Sequence, residues 1–548
     1  MSSRVLTADE CVLRNLLARF GATQPLKTFA RFQDGAEWTY AETLRRARHI
    51  SGTLQALGVR QRDNVFCWLP NGASFIETWF GANYMGAVFV SANIAYRGGI
   101  LEHVLRLANA KVGIIHADLL PRLSDIAVPF LERVIVVGGP PAGSFPGITL
   151  YDESILAESN EPAPLEAPIE PWDSAFVIFT SGTTGLSKAV LSSYIHAYSF
   201  FREGFPHLIG PRERFMVFLP MFHAGGTQPT FAQLTVGGSV AIIESFKTAE
   251  FWNTVRETKS TTACLLGVMA PFLLKQPPSP DDKNHGLKAV SITPLSEDAQ
   301  EFGRRFGVDL CTGYGMSELC APVSTEINPR KPGVSGKLRP GFEVRLVDDH
   351  DQEVPPGQVG EFTIRAERPW CMLTEYYKNP EATAKAWRNG WFHTGDLLRQ
   401  DEEGYYYFVD RKKDAIRRRG ENISSHEVEM EILTHPTIRE VAAFAVKSEI
   451  AEDEVMVCIA TPAAVSIEMR ELLNYLIPRM PHYMLPRYIR LMQELPKTPT
   501  GKILKDDLRK QGITEDTWDR EAHGVHIKRE KIGVAKGKGA GGRPEWEI

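Results

Sequence analysis

Apolar runs of strand length alternate with amphipathic stretches of helical period through roughly the first 400 residues, the pattern of an α/β fold. "KVGIIHA" (111–117) and "RVIVVGG" (133–139) read as buried strands ended by turns. "EFWNTVRETK" (250–259) reads as a helix and "TTACLLG" after it as a strand. The most apolar long run, 66–96, is interrupted by Asn71, Glu77 and Asn83 and carries Pro70 near its start. That composition predicts buried helix and strand, not a membrane span. A proline-rich stretch, 140–171, reads as a connecting segment, and 275–286 as a loop. Short strands and turns dominate 344–407, as in a small β subdomain. A charge-dense run, 410–422, precedes a smaller α/β unit, and the Gly/Lys-rich end, 533–548, has the composition of disorder.

At 548 residues the chain is too long for one core. The pattern divides it into a large N-terminal domain of α/β subdomains plus the β subdomain (1–411), a smaller α/β domain (412–515) and a tail (516–548). Hydrophobic residues make up 43% and charged residues 24%, an ordinary globular balance. The net charge of −5 argues against a dedicated nucleic-acid binder. Seven cysteines are scattered without a C-x-x-C, so neither a zinc site nor a disulfide framework is signalled, and a reducing cytoplasmic setting is expected. His523 and His526 sit in a charged run that reads as solvated tail. The first residues lack the apolar core of a signal peptide.

The chemistry centres on "DSAFVIFTSGTTGLSKAV", an apolar strand emptying into a loop of glycines and hydroxyls. Glycines let successive N–H groups converge on an anion, hydroxyls add donors, and Lys188 adds a positive charge. The spacing G-x-x-G-x-x-K is not that of a Walker A loop. A flexible Ser/Gly linker is the bland alternative, but linkers seldom follow a buried strand directly. "TGYGMSE" (312–318) offers an aromatic face at Tyr314, a hydroxyl at Ser317 and a carboxylate at Glu318 suited to Mg²⁺. In "GWFHTGD" (390–396), Asp396 can accept two ribose hydroxyls or simply cap a turn. In "PKTPTGK" (496–502), Lys502 alone is an ordinary basic loop residue.

Together with "WTYAETLRRA", "GAVFVSANIAY", "PMFHAGG" and "DRKKDAIRRRGENIS", and in this order, these stretches resemble the adenylate-forming superfamily of acyl-CoA synthetases, peptide-synthetase adenylation domains and luciferases. The resemblance spans about residues 30–510 and implies ATP-dependent activation of a carboxylic acid to an acyl adenylate, then thioester formation with coenzyme A. By matched motif it implies that Thr180, Ser181, Gly182, Thr183, Thr184 and Lys188 hold the β- and γ-phosphates. Tyr314, Gly315, Met316 and Ser317 would meet adenine and the α-phosphate, Glu318 Mg²⁺, and Asp396 and Arg411 the ribose. Lys502 would bridge the substrate carboxylate and α-phosphate. Lys413 would be the hinge about which the C-terminal domain rotates. Gly420, Glu421 and Asn422 would line the coenzyme A route. His223, a catalytic candidate, would flank an acyl pocket with Gly225, Gly226 and Gly315, the missing side chains making room. Arg417, Arg418 and Arg419 would either meet the 3′-phosphate of coenzyme A or form a solvated basic face.

Four stretches depart from the pattern. Ser187-Lys188-Ala189 stands where Pro-Lys-Gly is usual, Tyr194 where His is usual, and "SITPL" (291–295) where Gly-Gly-Ala-Pro-Leu is usual. Glu375-Tyr376 replaces Gly-Tyr; that pair and "RRRGENIS" look most like the crotonobetaine/carnitine-CoA ligase branch, without naming the acid. Delivery to a carrier protein, luciferase-like oxidation and non-catalytic nucleotide binding are the alternatives. A homodimer is the default assembly.

Overall fold

The computed structural model describes residues 4–157, 160–180, 186–267, 269–295, 299–411, 415–418, 421–448, 453–461, 467–497 and 503–527. Two largely parallel sheets dominate the N-terminal domain. In the first, the strands Val88–Ser91, Asn64–Trp68, Val112–His116, Arg133–Val137 and Thr149–Asp152 run parallel to Ser174–Thr180, and Lys188–Ser193 turns back antiparallel beside it. Buried faces on both sides explain why these strands read as continuous apolar runs. The second sheet runs from Asp309–Cys311 through Ala289–Thr293, Thr262–Leu266, Arg214–Val217 and Ser239–Ile242 to Thr28–Phe32 and Glu37–Thr39.

The proline-rich 140–171 stretch is more than a connector. It supplies the strand Thr149–Asp152, parallel to Arg133–Val137 at the sheet edge, where prolines on either side cost no ladder bonds. The expected β subdomain begins earlier than 344. Gly313–Met316 already opens its sheet, followed in space by Cys320–Ser324, Gly336–Leu338, Tyr405–Arg411, Trp391–Gln400, Val359–Ala366 and Phe342–Val347.

The 66–96 run resolves into strand, the helix Ala73–Tyr84 and strand. The helix is apolar nearly all round because it is buried nearly all round. Trp79 packs on Phe89 and Phe176. The polar interruptions have partners: Asn83 donates to the carbonyls of Ala87 and Ala175 and accepts from Trp79 Nε1. No helix among the described residues is long and apolar enough to cross a membrane.

His196, on the helix Tyr194–Gly204, is wholly buried. Burial pushes its imidazole down to about 3. The unfolded chain takes up that proton near 6.5, so the contribution to stability is full above that pH and is lost as pH falls towards 3. Urea midpoints of wild type should therefore fall faster than those of His196→Phe below pH 6.5, by up to about 1.4 kcal/mol per pH unit. Parallel curves would show that His196 is not buried as the neutral form.

The smaller C-terminal domain has Glu440–Lys447 antiparallel to Asp453–Ala460, then Tyr488–Met492 parallel to it. Trp518–Asp519 adds to Tyr488–Met492 and Val525 is buried, so the chain stays packed on this sheet past residue 515. A hairpin, Ala415–Arg418 and Glu421–Ser424, leads into the helix Ser425–Leu433. Ile416, Ile423, Val428 and Ile432 share one apolar cluster with Phe66, Trp68 and Ile100, which joins the two domains.

Candidate active site

The glycine- and hydroxyl-rich segment of interest joins two neighbouring strands. Thr180, at the end of Ser174–Thr180, pairs with Lys188, the first residue of Lys188–Ser193. Ser181, Gly182, Thr183 and Thr184 lie outside the described residues. Lys188 is held from the far side of its strand. The short strand Glu375–Tyr376 pairs antiparallel with Val190 and Leu191, and Lys188 Nζ lies 4.4 Å from the centre of the Tyr376 ring, a cation–π contact.

Tyr376 also reaches the metal candidate. Its hydroxyl donates to Glu318 Oε1 at 2.9 Å. Burial and the adjacent carboxylate push that hydroxyl far above its ordinary value, so it stays a donor. Glu318 itself is buried, and its carbonyl accepts from the Leu373 N–H at 2.8 Å. The segment before Glu375 is thus strapped to the turn that bears Glu318.

The ribose candidates come from strand register. Asp396 on Trp391–Gln400 pairs with Arg411 on Tyr405–Arg411. Tyr314 donates its hydroxyl to Asp396 Oδ2 at 2.8 Å. The Tyr314 ring is buried, edge-on to Phe362 and stacked 6.5 Å from the exposed Phe408. Met316 and Ser317 follow on the same turn, half-buried.

His223 caps the helix Ala224–Thr235, and its Nε2 lies 2.9 Å from Glu421 Oε2 on the C-terminal hairpin. The hairpin expected to line the coenzyme A route is therefore docked at the residue expected to flank the acyl pocket. Asn422 lies on the same strand, two residues past Gly420, which like Lys413, Arg419 and Lys502 is outside the described residues.

Two expectations are corrected. Glycine at 226 does not clear space for a substrate: a Cβ there would lie 2.6 Å from the Pro220 carbonyl and 2.7 Å from Met221 Cα, so its bareness lets the helix pack on its own approach segment. A Cβ at Gly315 would lie 2.4 Å from the Cys320 carbonyl, again a strand contact. At Gly225 the neighbour is a movable leucine side chain, 3.1 Å away. Arg418 is not part of a solvated or phosphate-facing triplet. It is 2% exposed, donates to the carbonyls of Tyr483 and Leu485, and pairs with Glu454 at 2.7 Å.

Positioning residues that motif reading did not single out are Tyr376 and Asn71. Asn71 donates to the carbonyls of Leu219 and Ile243 and accepts from the Met221 N–H at 2.8 Å, which fixes the segment leading to His223. Its only sequence signal is a polar residue inside an apolar run, with every polar atom satisfied in the fold.

Comparisons with known proteins support the family and the fold. A family model described as AMP-binding enzyme matches residues 17–377, and one described as AMP-binding enzyme C-terminal domain matches 427–502. Crotonobetaine/carnitine–CoA ligases of Salmonella arizonae and Shigella flexneri are each 28% identical, over 483 and 485 residues, covering 86% of this chain and 93% of theirs. Among solved structures, o-succinylbenzoate CoA synthetase from Bacillus subtilis aligns with a TM-score of 0.78 at 22% identity, covering 91% of this chain and 98% of that one. An amide bond synthetase from Marinactinospora thermotolerans aligns at 0.76 and 22%, covering 91% and 99%. With the first match spanning well over half of its length and the second following in order, the chain belongs to the AMP-binding enzyme family.

Proposed function

We propose that this chain is an acid–CoA ligase. It activates a carboxylic acid with ATP, releases pyrophosphate, and passes the acyl group to the thiol of coenzyme A. The observation that carries the reading is convergence. Lys188 and Glu318, from distant motifs, share Tyr376; Tyr314, four residues before Glu318, donates to Asp396; and the C-terminal hairpin meets His223 through Glu421.

A carboxylate resists attack because its leaving group would be oxide. In the first step its oxygen bonds to the α-phosphorus and the bond from phosphorus to pyrophosphate breaks. Two anions meet, so the protein must supply positive charge. Thr180, Ser181, Gly182, Thr183, Thr184 and Lys188 would hold the β- and γ-phosphates. Ser317 would donate to the α-phosphate, beside Gly315 and Met316. Asp396 and Arg411 would hold the ribose, and Tyr314 would meet adenine while its hydroxyl orients Asp396. Lys502 would bridge the carboxylate and α-phosphate.

Glu318 fits Mg²⁺, which takes few carboxylates and completes its shell with phosphate oxygens and water. Its buried carboxylate stands in the same cluster as the phosphate lysine, and among the described residues no group of three or more His, Cys, Asp or Glu offers an all-protein cage. Bound there, Mg²⁺ would draw charge from the phosphates.

In the second step the coenzyme A sulfur bonds to the acyl carbon, and the bond to AMP breaks. The docked hairpin, with Glu421 on His223, supports this step, in which Gly420 and Asn422 would line the coenzyme A route. Rotation about Lys413 would bring Lys502 in for the first. We assign residues 1–411 and 412–515 to the two moving bodies, the strand Trp518–Asp519 moving with the second. The seven unpaired cysteines fit a reducing cytoplasm, and a homodimer is the proposed assembly.

The test is AMP release on a panel of carboxylic acids, headed by crotonobetaine and carnitine, with and without coenzyme A. Coenzyme A-dependent AMP release with one acid class is the expected result. ATP–pyrophosphate exchange without thioester formation would overturn the acceptor, and no exchange with any acid would overturn the activity.

A further inference from the structure

Ser187 is where the phosphate loop departs from Pro-Lys-Gly, and it is also where the two domains meet. Its N–H donates to Glu427 Oε1 at 2.6 Å, and its Oγ donates to the same oxygen at 2.5 Å. Glu427 lies on the helix Ser425–Leu433 of the C-terminal domain, and both side chains are buried. The other side of Ser187 is fixed by His103, whose Nε2 lies 2.8 Å from the Ser187 carbonyl and must donate to it.

Glu427 stands where a capping box would use it. Ser424 caps the helix, its Oγ accepting from the Glu427 N–H at 3.3 Å. In a capping box the carboxylate three residues on turns back to the cap's own N–H. Here it leaves for Ser187. One turn further, Glu431 lies against the start of the helix Gly98–Ala108, where burial pushes its carboxyl up and the N–H groups of Gly99 and Ile100 hold it down. A Cβ at Gly99 would lie 2.8 Å from Glu431 Oε1, so bare backbone admits that carboxylate. Two carboxylates on one helix face therefore grip two separate segments of the N-terminal domain.

A buried carboxylate is costly unless donors meet it. Burial pushes Glu427 up to about 7, and the two hydrogen bonds from Ser187 are what hold it down. Proline, usual at this position, has neither the N–H nor the hydroxyl. With proline there neither bond could form.

We propose that Ser187 and Glu427 form a docking lock, which holds the C-terminal domain against the phosphate loop for thioester formation and opens for adenylation. The inference rests on the two-step reading above. It follows from what the contact accompanies, since the same docked arrangement sets the hairpin's Glu421 on His223. Both partners are positioning residues: they act through where the domain sits.

The test separates the half-reactions, ATP–pyrophosphate exchange against thioester formation from a supplied acyl adenylate. Glu427→Ala should slow the thioester step about tenfold or more, while exchange stays within about twofold. Ser187→Pro should give the same split. Ser187→Thr keeps both donors and should restore the thioester step to within about threefold. The double variant Ser187→Ala/Glu427→Ala should lose no more than the larger single one, as for one shared contact. Equal loss in both half-reactions, with Ser187→Thr no better than Ser187→Pro, would mean a folding role and overturn the lock. If exchange and thioester formation are present and neither substitution alters them, the lock alone fails. Absence of exchange in the native protein would overturn the two-step reading itself.

Discussion

Lys502→Ala is expected to lower the rate of acyl-adenylate formation about 100- to 1,000-fold, as loss of one preorganised charge-stabilising donor does elsewhere. Thioester formation from a supplied adenylate should stay within about threefold, because by then the pyrophosphate has left and no second anion approaches phosphorus. The split follows from where charge develops. In the first step a carboxylate oxygen meets a phosphate already rich in negative charge, and an ammonium placed between them is worth most as the bond forms. Lys497 and Ile503 bridge across the base of the loop that bears Lys502, and Lys505 just beyond pairs with Glu429 at 2.6 Å. Both anchors belong to the C-terminal domain, which also carries the hairpin docked at His223. Rapid-quench measurement of each half-reaction checks this. Equal losses would remove Lys502 from the first step. Lys502→Arg keeps the charge but not its compact shape, and should fall between the native protein and alanine.

The strands were legible because their signal is local. The Val112–His116 and Arg133–Val137 strands are apolar runs closed by turns, and the helix Phe251–Thr258 carries its period within its own residues. The strand Ser174–Thr180, which leads into the glycine- and hydroxyl-rich segment, was legible for the same reason. What escaped depends on partners far along the chain. Nothing near Tyr376 announces that its hydroxyl meets Glu318 or that its ring lies under Lys188. Nothing near Ser187 announces Glu427, 240 residues away. Gly226 misled because a missing side chain has the same letter whether it makes room for a ligand or for backbone. The edge strand Thr149–Asp152 hid among prolines, since edge strands tolerate what central strands do not.

Arg418→Ala is expected to destabilise the C-terminal domain by about 3–5 kcal/mol, the usual cost of removing one partner of a buried ion pair. Three adjacent arginines suggest a solvated or phosphate-binding face, but strand alternation sends neighbours to opposite sides. In the hairpin Arg417 pairs with Asn422 and Arg418 with Glu421. Arg418 faces inward, where it is 2% exposed, donates to the carbonyls of Tyr483 and Leu485 at 2.9 and 3.0 Å, and pairs with Glu454 at 2.7 Å. Alanine would leave a buried carboxylate without its cation and two carbonyls without donors. The same side chain pins the hairpin to its own domain, so its loss would also displace Glu421 from His223. Urea denaturation followed on the C-terminal domain measures the cost. Arg418→Met/Glu454→Leu, which removes both charges and keeps volume, should recover much of the loss, because an apolar pair need not bury an unpaired charge. Arg417→Ala, at a half-buried neighbour, should change stability by about 0.5 kcal/mol or less. A stable Arg418→Ala protein with a raised KM for coenzyme A would instead return Arg418 to the phosphate-binding role that its charged neighbours suggest.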